Sequence, residues 1–464
     1  MTLKQLSPKR SRHGGCRHSI ASVVILVVAA VLLWPATPAG AISIQRVVSE
    51  KGIEAWLVED HNVPLMTMRF AFRGGSALDP KGKEGLANMT SSLLDEGAGK
   101  LDSMAFQQRL EDNSISINFG ASLDNFRGTL RTLTETRAMA FDLLRLAMTR
   151  PRFDPEPVER IRSQILSGLA RAAERPRHIA RRTWMRAVFP DHPYRRPADG
   201  TPESIARIKA GDMAGFVKDR LGRDKLVIGV VGDISAKQLA PLLDKTFGPL
   251  PAKAKSNHVP EATPAVAGDV FVIKRDIPQS VVLFGHGGIK RDDPDYYATY
   301  IMNHILGGST LNSRLGNEVR EKRGLAYSVY SYLSTMDHAG LIMGGVATAN
   351  ESVAKSIEII RKEWGRMRSG KVSKQELSDA KTYLTGSFFT RLNSTRRISR
   401  LLLGMQLEHL GIDYISRRNR LIDGVTAADI RRVAQRLLDP AKLTFIVIGT
   451  PKGVKPTREP PPKS

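Results

Sequence analysis

The stretch GLANMTSSLLDEGAG, residues 85–99, places three polar side chains at a spacing where enzymes often do chemistry. Leu86, Met89 and Leu93 recur at helical period, so the stretch opens as a helix with an apolar face. Asn88, Ser91 and Ser92 share another face, at i, i+3 and i+4. Metal binding or general-base catalysis on such a face calls for imidazole, carboxylate or thiolate groups. An amide and two hydroxyls offer none of these, and the face is chemically quiet. His61, His178, His192, His258, His286, His304, His338 and His409 are scattered along the chain and read as surface or packing residues rather than ligands.

A helix this early needs a sheet to hold it, and the chain repeats such a unit. LMTMRFAFRGGSALDPKGKEGLANMTSSLL runs strand, Gly-Gly, charged loop, helix; SVVLFGHGGIKRDDPDYYATYIMNHIL has the same order, with Gly74 and Gly287 213 residues apart. MAGFVKDRLGRDKLVIGVVGD and IRRVAQRLLDPAKLTFIVIGT each read as helix, turn and buried strand, with Leu226 and Leu443 217 apart. Offsets that agree this closely imply a duplicated unit of roughly 200 residues, near the upper end of single-domain size. Strands such as LVIGVVG alternate with long helices such as ESVAKSIEIIRKEWGRM, so the fold class is α+β, with helices on one face of a mostly antiparallel sheet. The halves span 42–251 and 269–452. The Lys-, Pro- and Ala-containing stretch 252–268 joins them as an exposed linker, and 453–464 is a Pro-rich tail.

The first 41 residues stand apart. Lys4, Lys9, Arg10, Arg12 and Arg17 precede the apolar run 20–34, and Ala39 and Ala41 follow at A-x-A spacing, the pattern of a secretory signal cut before Ile42. The alternative, a retained anchor, is opposed by a run of 15 residues against the roughly 20 that span a bilayer. Export points to the periplasm. The single cysteine, Cys16, lies in the segment removed, so the mature chain has no disulfide or thiolate chemistry. Removing five basic residues lowers the formal charge from +24 to +19. No nucleic-acid motif accompanies that charge, and an exported basic protein meets acidic peptides, acidic partners or anionic envelope surfaces instead.

The repeat, the loop FRGGSALDPKGKEGLANM, the segment HPYRRPADGTPESIARI and above all LGGSTLNSRLGNEVREKRGLAYSVYS together resemble the M16 family of zinc peptidases, in the branch with processing-protease-like subunits. The resemblance covers nearly all of the mature chain. It implies two similar α/β-roll domains that, paired with a second two-domain chain, close like a clamshell around an unfolded peptide. In active members the early helix carries H-x-x-E-H, in which two histidines bind zinc and the glutamate activates water. Here that register reads Asn88, Met89, Thr90, Ser91, Ser92. The third ligand of active members is a glutamate in a Glu-Glu pair; counted back from Pro176, the pair falls on Ser167 and Gly168. No H-x-x-E-H, H-E-x-x-H or H-x-x-x-H occurs anywhere in the chain.

The resemblance also implies a division of labour, in which one chain holds zinc and the other offers an arginine and a tyrosine seven residues apart. Arg320 and Tyr327 match that pair. Arg320 is expected on the last turn of the helix SRLGNEVREK, ended by Gly324, with Tyr327 on the strand AYSVYSYLS. A guanidinium there can grip a peptide carbonyl, and a phenol can donate to the oxyanion at the scissile bond. The expected function is therefore an auxiliary, zinc-less subunit of a heterodimeric metallopeptidase, inactive alone, with zinc in its H-x-x-E-H partner. The alternative is a non-enzymatic scaffold or peptide-binding module that kept only the fold.

Overall fold

Strands form where β-branched and aromatic residues cluster between turn residues. β1 (Gln45–Val48), β2 (Glu54–Glu59), β3 (Leu65–Arg73), β4 (Ser116–Ala121), β5 (Asn125–Leu133) and β6 (Leu226–Gly232) form one sheet in the order β1-β2-β6-β3-β5-β4. β7 (Val270–Lys274), β8 (Gln279–Gly287), β9 (Ala326–Met336), β10 (Ala339–Ala349) and β11 (Thr444–Gly449) form a second, in the order β7-β11-β8-β10-β9. Both are antiparallel except for one pair each, β2 with β6 and β7 with β11. With β1 set aside, the two orders correspond strand for strand. This is the duplication expected from the sequence offsets, and the class is α+β.

The computed structural model describes residue 2 and residues 42–464, apart from 256–257, 310–311, 371 and 463–464. The segment 1–41 read as a signal, with Cys16, lies outside the described residues apart from residue 2. Residues 44–464 make one compact unit. No helix among the described residues is long and apolar enough to cross a membrane.

Each sheet buries one face in its own half. Met66, Met68, Phe70 and Phe72 of β3 alternate inward into a core shared with Leu143, Leu144, Leu239 and Leu243. Val282 and Phe284 of β8 do the same with Ile359, Trp364 and Val433. Each such phenylalanine contributes roughly 1.5–3 kcal/mol by leaving water.

The opposite faces differ from the one-face expectation. Four helices frame the regions where chemistry is expected and where the halves meet: α1 (Leu86–Ser91), α2 (Pro155–Ala173), α3 (Pro176–Val188) and α4 (Thr395–Leu407). α3, from the first half, lies on β8 and β11 of the second sheet, whereas α4, from the second half, lies on β3 and β6 of the first. Glycine permits both approaches. A Cβ on Gly229 would stand 2.8 Å from the Leu402 Cβ, and one on Gly285 would stand 3.1 Å from the Trp184 ring. Trp184, Val188, Leu341, Met343, Ile446 and Ile448 form a third core at the α3 contact. Each half thus covers part of the other's sheet.

The linker and tail are more tied down than their composition implies. Lys255 N–H donates to the Asp219 carbonyl at 2.7 Å and Ala265 N–H to the Val188 carbonyl at 2.8 Å. In the tail, Thr457 exchanges two 2.9 Å bonds with the backbone of Val270.

Candidate functional site

α1 begins without a capping side chain of its own. Gly85 takes φ +92°, and the carboxylate of Asp79 accepts from the N–H groups of Gly85 (3.1 Å) and Ala87 (3.2 Å), so a residue upstream of the helix satisfies its first donors. Burial pushes the Asp79 carboxyl up to about 7, against the pull of those amides and of Arg220 and Arg196. The helix then stops early. The hydroxyls of Ser91 (2.7 Å) and Ser92 (3.1 Å) both donate to the Asn88 carbonyl, the acceptor that the Ser92 N–H reaches only at 3.2 Å. Side-chain bonds of this kind compete with the helical ladder, and residues past Ser92 turn away instead of continuing the helix.

α2 packs beside α1, the arrangement that a ligand set split between two helices would need. Ser167 on α2 is exposed and Gly168 half-buried. The acidic groups nearby are otherwise engaged. Burial works to raise Glu96, but its bonds from Arg160 (2.7 Å) and Ser103 (2.5 Å) outweigh that and hold it below the usual carboxylate range. Burial and the neighbouring Glu96 push Asp95 up to about 6. Zinc asks for deprotonated or neutral nitrogen, sulfur and carboxylate donors in a closed set. Asn88, Ser91, Ser92 and Ser167 do not fit it: their ligating capacity is an amide and three hydroxyls, two of which donate within α1. Among the described residues no group of three or more His, Cys, Asp or Glu is placed to hold a metal ion.

The histidines include several with structural partners. His286 is buried in the second half, accepting from the Trp364 indole at 2.8 Å. His192 accepts from the Tyr194 N–H through Nδ1, so Nε2 donates to the Pro260 carbonyl at 2.8 Å.

Arg320 and Tyr327 are brought together. The expected helix is wound more widely over Gly316–Glu321, with i→i+5 bonding, and Arg320 lies in its last turn. Gly324, at φ +60°, donates to the Arg320 carbonyl (2.8 Å), the single bond of a left-handed glycine cap, and Leu325 N–H donates to the Val319 carbonyl (2.9 Å), one residue further back. β9 begins directly afterwards with a bulge, Tyr327 and Ser328 facing Ala347 alone. The bulge leaves Ala326 and Val329 buried and turns Tyr327 outward, 85% exposed. The Arg320 guanidinium sits 5.1 Å from the centre of the Tyr327 ring and contacts Glu321 at 3.3 Å. The Tyr327 hydroxyl has no hydrogen-bond partner among the described residues.

Sequence reasoning misses a second constellation, where the halves meet. Tyr194, from HPYRRPADG, is fully buried; its hydroxyl donates to Asp124 at 2.5 Å and accepts from the His338 N–H at 3.1 Å, and Asp337 N–H reaches the other Asp124 oxygen at 3.3 Å. Burial and Asp124 push the Tyr194 phenol far up, so it stays a donor. This contact borders a cavity of about 770 Å³ between α3 and the open face of β8, β9 and β10, lined among others by Arg181, Trp184, Tyr330 and Tyr332. Its one signal in the sequence is the resemblance of HPYRRPADG to a family segment. Nothing in the spacing of that segment points to a contact with Asp124.

Comparison with known proteins agrees with this geometry. Residues 55–201 match the family model described as insulinase (peptidase family M16), and residues 207–384 match the peptidase M16 inactive domain. The Helicobacter pylori protein described as non-peptidase homolog YmxG is 30% identical over 345 residues, 73% of this chain and 79% of that relative. The Bacillus subtilis uncharacterized zinc protease YmxG is 24% identical, over 84% of this chain and 94% of that relative. Among solved structures, a peptidase M16 inactive domain from Pseudomonas fluorescens superposes with a TM-score of 0.82 at 27% identity, covering 90% of this chain and all of that one. Two sheets of matching strand order, an early helix whose H-x-x-E-H register holds no zinc-ligating side chain, and these similarities lead to one conclusion: the chain belongs to the M16 peptidase family.

Proposed function

We propose that this protein is the auxiliary, zinc-less subunit of a heterodimeric M16 metallopeptidase, and that it binds unfolded peptide and stabilises the reacting carbonyl on a partner's zinc centre. The observation that carries the reading is the Arg320–Tyr327 pair. An exposed tyrosine with an unspent hydroxyl, held by a bulge against an arginine, is a donor set aimed at something outside this chain. The segment 1–41 adds the proposal that the assembly works in the periplasm.

A second reading, a peptide-binding module without catalysis, is favoured by the description of the Helicobacter relative as a non-peptidase homolog. Co-expression of the mature chain with an exported H-x-x-E-H chain from the same source separates the two. The first reading expects a stable pair whose chelator-sensitive peptide cleavage greatly exceeds that of the H-x-x-E-H chain alone. Cleavage indifferent to this chain would leave the module reading standing.

A further inference from the structure

Because α3 and α4 each cover only part of the sheet they lie on, a strip of each inner face stays open; arginines gather on α3 and along the first sheet and α4, and tyrosines line the second sheet. Arg177, Arg181 and Arg182 of α3 line the 770 Å³ cavity together with Arg127 of β5. None of these four side chains has a hydrogen bond or ion pair among the described residues. The strip continues past Arg127. Arg69, diagonal to it across the β3–β5 pairing, is half-buried with its Nε unpartnered, and Arg396 and Arg400 of α4 stand close enough, with Arg127, to oppose its charge. Four like charges gathered without a carboxylate repel one another, and a structure keeps such a cluster at a cost unless an anion relieves it.

The cavity supplies further donors beside its arginines. Trp184 is fully buried and lines it, and its indole N–H finds no acceptor. Tyr330 and Tyr332 stack at 6.1 Å on the opposite wall, on the same lining as Leu283 and Met343. Four acids share the lining, fewer than the arginines of the cavity and strip together. Asp199 faces Arg182, and Asp124 is taken by Tyr194 and the Asp337 amide. Burial and then the charge of Asp124 raise the Asp337 carboxyl, and burial and then the charge of Asp337 raise that of Glu408.

We propose that this cavity and the arginine strip leading from it bind an extended acidic peptide segment, its carboxylates on the arginines and its apolar side chains on the tyrosine-lined sheet. The aliphatic Leu283 and Met343 beside the tyrosines give apolar peptide side chains a surface to bury, and peptide is the occupant proposed. The inference rests on the peptide-handling reading and names its substrate class, but its test needs only the isolated chain, so its failure and the failure of the heterodimer reading are distinguishable.

The test is fluorescence anisotropy of the mature chain with short, end-capped, labelled peptides of alternating glutamate and valine, with lysine and glutamine versions, and with a single-stranded oligonucleotide. The glutamate peptide should bind, weaken as salt rises, and outcompete the other peptides and the oligonucleotide. Arg127→Gln with Arg181→Gln, both on exposed residues, should weaken it by at least about tenfold. Lys100→Gln with Lys237→Gln removes the same charge elsewhere and should leave binding intact. Equal losses from both pairs, equal binding of the lysine peptide, or an oligonucleotide that binds as well and responds to the same arginines would each overturn the proposal.

Discussion

α1 in the first half and the β9 bulge in the second each present a few polar groups on an otherwise apolar scaffold, yet the groups are spent differently. On α1 the hydroxyls of Ser91 and Ser92 turn back onto the Asn88 carbonyl and shorten their own helix. At the bulge the backbone satisfies itself through Gly324 and Leu325, and the Tyr327 hydroxyl is left over. Polar groups that close on themselves stabilise local structure, whereas groups held rigidly and left open can act on a ligand. The difference lies in what each region leaves available to a ligand: little on α1, and one exposed phenol at the bulge.

The largest expected effect lies at the bulge. Arg320→Ala removes a charged grip on the peptide and the support of the Tyr327 ring, so kcat/KM of the reconstituted heterodimer should fall by about 1,000-fold, with KM and kcat both affected. Steady-state kinetics on one peptide, with assembly confirmed by size, reads it.

Next comes the contact between the halves. Tyr194→Phe takes the phenol donor away from the half-buried Asp124 carboxylate and should cost about 2 kcal/mol in chemical denaturation. A loss within error would mean that water replaces the phenol.

Asp79 gives a smaller, pH-dependent effect. Its folded carboxyl lies at about 7, above the ordinary value near 3.9, so between those values the folded chain holds a proton that the unfolded chain has released. Its contribution is complete below about pH 4 and is lost as pH rises through about 7. The Tm advantage of wild type over Asp79→Asn should therefore shrink from about pH 5 to about pH 8; an advantage that grows would reverse the assignment. The smallest effect belongs to the quiet face. Ser91→Ala with Ser92→Ala should alter stability by no more than about 0.5 kcal/mol and leave heterodimer cleavage unchanged.

Much of this is legible in the sequence, and the losses have physical reasons. The duplicated unit shows through because strand and helix periods recur with their turn glycines, and the emptied register at Asn88, Ser91 and Ser92 is placed by the family resemblance, with residue chemistry saying only that the face is quiet. The early end of α1 does not show, because a helical period does not reveal which hydroxyls compete for a carbonyl. The exchange of α3 and α4 is hidden for a related reason: an apolar stripe says that a face is covered, not which half covers it. Gly324 is readable as a helix end. The bulge that turns Tyr327 outward is not, since its two-against-one pairing depends on Ala347 in another strand. Tyr194 and Asp124 lie 70 residues apart, and only the folded chain joins them.

The central claim is that Tyr327 serves a reaction whose metal sits in another chain. Tyr327→Phe keeps the ring beside Arg320 and removes the hydroxyl alone. Measured as steady-state cleavage of one peptide by heterodimers of matched assembly, the change should lower kcat by about 100-fold and leave KM nearly unaltered. A Tyr327→Phe heterodimer that assembles normally and cleaves at the wild-type rate would contradict that claim.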